Sequence, residues 1–180
     1  MSGLRLASGG RVARDRKVRF TFDGKAYEGL AGDTLASALL ANGVHLVGRS
    51  FKYHRPRGIM TAGPEEPSAL VTVRRDEARS TPNLRATQVE LYEGLCAVSQ
   101  NRWPSLRFDL GRFAELFSPL LSAGFYYKTF MWPDWHLFEG HIRRAAGLGR
   151  AAESGDPSRY ETRYAHCDVL VVGKIGRAHV

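Results

Sequence analysis

Cysteine is scarce in this 180-residue chain: there are two, Cys96 and Cys167. Neither belongs to a CxxC pair, and each lies in an apolar stretch, so both read as small buried hydrophobes of a reducing compartment. That compartment is taken as the cytoplasm. Long apolar runs are missing too, and no stretch approaches the roughly 18–20 residues that cross a bilayer. The opening "MSGLRLASGGRVARDRK" lacks an apolar h-region, which excludes a secretory signal. Residues 1–16 read as a flexible, solvated leader, with a transit peptide as the competing reading. Metal-ligand spacing is absent. His136 and His141 are the nearest histidine pair, and a spacing of five does not place two ligands on one helix face. No Ser/His/Asp arrangement or supported carboxylate pair points to hydrolysis.

Arginine is abundant instead. The chain holds 26 Lys and Arg against 18 Asp and Glu, a formal net charge of +8, and arginine far outnumbers lysine. Arginine suits bidentate contact with phosphates and carboxylates. The charges are spread along the chain rather than gathered in one helix or tail. A surface that meets acidic partners or cofactor phosphates therefore ranks above nucleic acid.

Local patterning starts at "KVRFTFDGKAYEGL". Val18, Phe20 and Phe22 alternate with polar residues, the period of a half-buried strand. Asp23-Gly24 supplies a type I′ hairpin turn, and Ala26–Glu28 begins the return strand. In "GDTLASALLANGVHL", Asp33 or Thr34 can cap a helix that ends at Gly43. Val44–Val47 then resumes an extended path. Strands are expected at 68–73 and 85–91, with "RRDEARSTPN" between them as a loop. The order of elements predicts an α+β fold, a β-grasp domain over residues 17–98 in which a mixed sheet wraps one helix.

Residues 99–147 change character and hold all three tryptophans. Phe113, Leu116, Phe117, Leu120 and Leu121 form one helical stripe. Trp135, Phe138, Ile142 and Ala145 form a second, started by Asp134 and ended at Gly147. This aromatic extension is expected to be loosely attached and to pack against a further domain or subunit. Residues 148–166 read as a linker. Residues 167–173, "CDVLVVG", read as the first strand of a truncated dinucleotide-binding domain, with Gly173 as the first glycine of its turn.

The densest functional stretch is "GRSFKYHRPRGIMTAGPEEP". Arg49, Lys52, His54, Arg55 and Arg57 lie among Phe51 and Tyr53, with Pro56 and Gly58 fixing the path. Such a loop could bind single-stranded nucleic acid, hold a cofactor phosphate, line an interface, or simply be solvated. In plant-type ferredoxins the stretch after the β-grasp helix carries the C-x4-C-x2-C thiolates of a [2Fe–2S] cluster. Here it has no cysteine, so the expectation is a ferredoxin-like fold without the cluster.

The strings "GDTLASALLANGVHLVGRSFKYHRPRGI", "NLRATQVELYEGL", "SQNRWPSL", "AGFYYKTFMWP" and "AHCDVLVVG" resemble the N-terminal region of heterotetrameric sarcosine oxidase alpha subunits, nearly continuously from 17 to 173. The resemblance implies a cluster-less ferredoxin-like domain at the head of a longer chain with FAD/NAD-type and folate-binding domains. It implies beta, gamma and delta subunits as partners, and an intact complex that uses NAD, FMN, FAD and tetrahydrofolate. That complex oxidises sarcosine to glycine, forming hydrogen peroxide and methylene-tetrahydrofolate. The alpha subunit of a related N-methyl amino acid dehydrogenase is an alternative, as is a stand-alone ferredoxin-like binding module. The residues here are expected to be structural, to bind no cofactor alone, and to contact neither nucleic acid nor membrane. After Gly173 the likeness stops. "IGRAHV" is what ATC GGA AGA GCA CAC GTC encodes, the start of a sequencing-library adapter, so residues 174–180 are expected to be read-through.

Overall fold

The computed structural model describes residues 4–50, 53–76, 78–117, 132, 134–145, 148–150 and 152–170. Strand β1 spans Ala13–Phe22 and β2 spans Lys25–Ala31, joined by Asp23 (φ 49) and Gly24 (φ 78). Both turn residues take the positive φ of the expected type I′ turn. Val18, Phe20 and Phe22 face the core while their neighbours stay accessible. Asp23 has a second task. Its carboxylate accepts from the backbone N–H of Ser99 (2.8 Å), the Ser99 hydroxyl (2.6 Å) and the Arg102 guanidinium (3.1 Å). The first hairpin is thereby tied to the end of the central strand.

Helix α1, Leu35–Ala41, buries Leu35, Ala36, Ala38 and Leu39. Thr34 is its N-cap: its hydroxyl accepts from the Ser37 N–H, and the Ser37 hydroxyl accepts from the Thr34 N–H, a reciprocal capping box. At the other end Gly43 (φ 71) donates to Leu40 O and Val44 to Leu39 O, each at 2.9 Å. These paired bonds make a Schellman stop. The helix crosses β2 at Gly29, where a Cβ would come within 2.4 Å of a Leu91 methyl and 3.0 Å of Ala38. Thr34→Ala should lower the stability of the domain by about 1 kcal/mol, read from the denaturant midpoint. An unchanged midpoint would mean that the cap is dispensable.

The five-stranded sheet has the order β2-β1-β7-β5-β6, with β5 at Leu70–Arg74, β6 at Ser80–Arg85 and β7 at Leu95–Ser99. β1 and β7 are parallel and the other pairs are antiparallel. A mixed sheet clasping one helix fits a ferredoxin-like fold.

Several expectations change. The expected loop at 74–83 contains most of β6, Pro82 included. Proline is tolerated there because β6 is the sheet edge, where one row of ladder bonds is not required. The expected strand at 85–91 leaves the sheet after Arg85. Its carbonyls at Ala86 and Val89 instead accept from Ala36 and Leu35 N–H (3.0 and 2.8 Å), two of the donors a helix start leaves open. The central strand is β7, beyond the point where the pattern seemed to close. Val44–Val47 forms no strand; a short hairpin, β3 (Gly48–Arg49) with β4 (Pro56–Arg57), follows it.

The leader is tethered. Arg5 pairs bidentately with Asp33 at 2.6 and 3.0 Å, and β1 already begins at Ala13. Burial pushes the Asp33 carboxyl up. Hydrogen bonds from Arg5, Leu30 and Ser37, with the Arg5 charge, outweigh this and hold it below its ordinary value.

Beyond the sheet, Leu110–Phe117 is a 3-10 helix rather than an α-helix, and α2 spans Trp135–Ala145. Asp134 starts α2 as expected, its carboxylate accepting from the His136 N–H at 3.1 Å. The sides of Leu116, Phe117 and Ala145, with Leu120, Leu121 and Gly147, lie outside the described residues. Residues 148–150 reach the sheet edge, where Gly149 donates to the Asn83 side-chain oxygen at 3.0 Å. Cys96 is half-buried and Cys167 is exposed, so only a partial burial of the first matches expectation. Cys167–Leu170 pairs with no strand among the described residues, and Val169 and Leu170 are exposed. A strand is held by a neighbour's ladder, and none is offered here. Gly173 and residues 174–180 lie outside the described residues.

Candidate functional site

The arginine-rich loop is a folded knob. Within it Ser50 and Arg55 exchange backbone contacts: Ser50 N–H donates to Arg55 O at 2.9 Å, and the Ser50 hydroxyl accepts from Arg55 N–H at 2.9 Å. His54 takes a positive φ of 52, which closes the turn. Lys52 and Phe51 lie outside the described residues.

Two of the expected phosphate-binding side chains turn inward. Arg49 donates through Nε to Leu106 O at 2.9 Å and through Nη1 to His54 O at 3.1 Å, with a further bond from Nη2 to Leu106 O. Its guanidinium lies 3.8 Å from the Asp109 carboxylate, and the His54 Nδ1 lies 2.7 Å from the same oxygen. Asp109 is fully buried at its side chain. Its other oxygen accepts from Trp103 and Gly111 N–H, both at 3.0 Å. Gly111 lies so close to the imidazole that a Cβ would meet the His54 ring at 2.3 Å. From the opposite side Asn101 donates to Arg49 O (3.1 Å) and Ser50 O (2.6 Å). The knob at 49–57 and the segment at 101–111 therefore form one clamp around a buried carboxylate.

This arrangement sorts the candidates. Arg49 and His54 are structural partners of Asp109, while Arg55 and Arg57 stay on the surface. The Arg55 guanidinium sits over the Tyr53 ring, 5.0 Å from its centroid. Asp109 itself was not singled out from the sequence. The available signal was that it is the single acid in "NRWPSLRFDLGRF" and faces a stretch of cations.

A second buried carboxylate shapes the loop that follows. Glu66 is 1% exposed. One of its oxygens accepts from Met60 and Thr61 N–H (2.8 and 2.7 Å), the other from Ser68 and Ala69 N–H (2.8 and 3.1 Å). Burial pushes its carboxyl up, but the four backbone donors outweigh this and hold it below its ordinary value.

Residues 15–102 match a family described as a 2Fe-2S iron-sulfur cluster binding domain. The sarcosine oxidase subunit alpha of Rhizobium meliloti is 64% identical over 176 residues, which cover 96% of this chain and 18% of the relative. The chain belongs to the sarcosine oxidase alpha subunits. The alpha subunit of Corynebacterium sp. (strain U-96) is 34% identical over 168 residues, covering 92% of this chain and 13% of its own length. The chain thus spans less than a fifth of the curated sarcosine oxidase alpha subunits it matches. A solved L-proline dehydrogenase from P. horikoshii is 31% identical over 49% of this chain and 16% of its own, with a TM-score of 0.40.

A [2Fe–2S] cluster of the ferredoxin type takes four thiolates. These residues do not offer that donor set: the chain has two cysteines, and the loop that follows α1 has none. Cys96 lies on β7, opposite Arg74 of β5, away from that loop. Among the described residues no group of three or more His, Cys, Asp or Glu is placed to hold a metal. Nor is any described helix long and apolar enough to cross a membrane.

Proposed function

We propose that these residues are a folding and assembly domain of a sarcosine-oxidising enzyme's alpha subunit and take no direct part in its chemistry. The observation that carries this is the 64% identity over 96% of the chain to a sarcosine oxidase alpha subunit. In this reading the domain is ferredoxin-like in path but carries no iron–sulfur cluster. The loop that would hold the thiolates is fixed by the Arg49–Asp109–His54 clamp, which serves structure.

The whole enzyme would convert sarcosine to glycine, release hydrogen peroxide and pass the one-carbon unit to tetrahydrofolate. NAD, FMN and FAD would be held by later domains and by the beta subunit, with gamma and delta subunits completing the complex. "CDVLVVG" would be the first strand of the dinucleotide-binding domain, ending at its first glycine, Gly173. Arg55 and Arg57 would serve contacts with neighbouring parts of the complex, and the compartment would be the cytoplasm.

The test is a chimera: these residues, up to Gly173, replace the matching stretch of the Rhizobium meliloti alpha subunit, coexpressed with its partner subunits. Sarcosine-dependent peroxide formation and flavin content should match the parent enzyme. A chimera that assembles with full flavin but does not oxidise sarcosine would overturn the reading.

A further inference from the structure

The clamp leaves an unusual outer surface. On the segment it fixes, Trp103 and Phe108 are each 65% exposed and Phe113 is 57% exposed. Arg55, Arg57, Arg107 and Arg112 are exposed around them. Large aromatics and arginine together are the side chains enriched at the centres of protein interfaces. The segment is not mobile by composition: its backbone is pinned. Ser105 N–H donates to Phe108 O at 3.1 Å, Leu110 N–H to Trp103 O at 2.7 Å, and Asp109 holds both Trp103 and Gly111. Side chains presented from a fixed backbone lose less freedom on docking than those of a loose loop.

The charge of the face is one-sided. Across 53–57 and 101–113 the only acid is Asp109, and it is buried. A face of exposed arginines with no exposed carboxylate repels a second copy of itself in a two-fold contact. It suits an acidic surface with an apolar centre. The chain also leaves the domain from this face, running on through the 3-10 helix at Leu110–Phe117 toward α2. Its relatives continue for more than four-fifths of their length outside the matched stretch.

We infer that Trp103, Phe108 and Phe113, ringed by Arg55, Arg57, Arg107 and Arg112, form an intramolecular docking face for an acidic surface on the later part of an alpha-subunit chain. This rests on the alpha-subunit reading above. The aromatics supply the dehydrated centre and the arginines supply register and orientation.

The experiment uses the full-length chimera in its complex. A photo-crosslinking phenylalanine analogue is placed at Trp103 or Phe108, with Ala13, at the far end of β1, as control. The expected product is an intrachain cross-link from 103 and 108 to an acid-containing peptide beyond the exchanged stretch. Arg55→Glu with Arg107→Glu should lower its yield by about tenfold or more, since like charges brought together cost several kcal/mol. Cross-links to another subunit, to a second copy or to RNA, or none above the Ala13 control, would each overturn the proposal. A second measurement needs no variant. Amides 103–113 should exchange more slowly in the full-length subunit than in the 180-residue chain, and equal rates would overturn it. Neither readout depends on sarcosine turnover, so a failed oxidation assay and a failed docking face are separate results.

Discussion

Asp109→Ala is expected to destabilise the domain by about 3–5 kcal/mol, the range seen when one partner of a buried ion pair is removed. The loss is not that of one contact. Arg49 is left with its guanidinium buried against Leu106 and His54 carbonyls but without its counter-charge, 3.8 Å away in the native fold. His54 loses the carboxylate at 2.7 Å. The Trp103 and Gly111 N–H groups lose their acceptor. A domain whose total stability is typically about 5–15 kcal/mol would be left marginal. Chemical denaturation followed by far-UV circular dichroism measures it. Pairing Arg49→Met with Asp109→Leu should recover part of the loss, because an apolar pair leaves no buried charge unmatched. A single-variant loss below about 1 kcal/mol, within the ordinary range of surface changes and caps, would show that the clamp does not hold the knob.

Glu66→Gln is expected to be nearly as severe, and for a geometric reason. Each carboxylate oxygen accepts two backbone N–H groups. Glutamine keeps one oxygen and turns the other into an NH2 donor. Whichever way the amide lies, two backbone donors then face a donor. Each unsatisfied buried group costs about 1–3 kcal/mol, so a loss of about 3 kcal/mol or more follows. Protonation does a milder version of the same thing. The folded-state carboxyl values of Glu66 and Asp33 are held below their ordinary ones. Their ionised forms therefore add stability that is fully present above the ordinary carboxylate range of about 4. This stability is lost as pH falls through the lowered folded-state values. The denaturation midpoint of the wild-type chain should fall steadily below about pH 4, and the fall should be shallower in Glu66→Gln. Identical slopes would contradict the assignment.

The parts of this fold that could be read in the sequence are those governed by neighbours along the chain. The β1–β2 hairpin follows from period-two burial at Val18, Phe20 and Phe22 and from Asp23-Gly24. Helix α1 follows from Thr34 at one end and Gly43 at the other. The parts that could not be read are decided by partners distant in sequence. "RATQVEL" has strand composition, yet the helix start takes up its carbonyls. "STPNLR" looks like a loop and is a strand, because an edge position forgives its proline. The candidate site divides the same way. Local density marked Arg49, His54, Arg55 and Arg57, but it could not say which would be buried. That depends on Asp109, some fifty residues later in the chain. The ferredoxin-like path and the lack of thiolates, by contrast, follow from element order and from counting two cysteines.

The account's central claim is that a ferredoxin-like loop is here built as an arginine–carboxylate clamp and holds no cluster. Anaerobic reconstitution of the purified chain with iron and sulfide tests it most directly. Iron analysis and electron paramagnetic resonance follow after reduction. The account predicts iron no higher than in a control protein without thiolates, and no reduced-cluster signal. Stoichiometric iron with a [2Fe–2S] signal that disappears in a Cys96→Ala variant would contradict it.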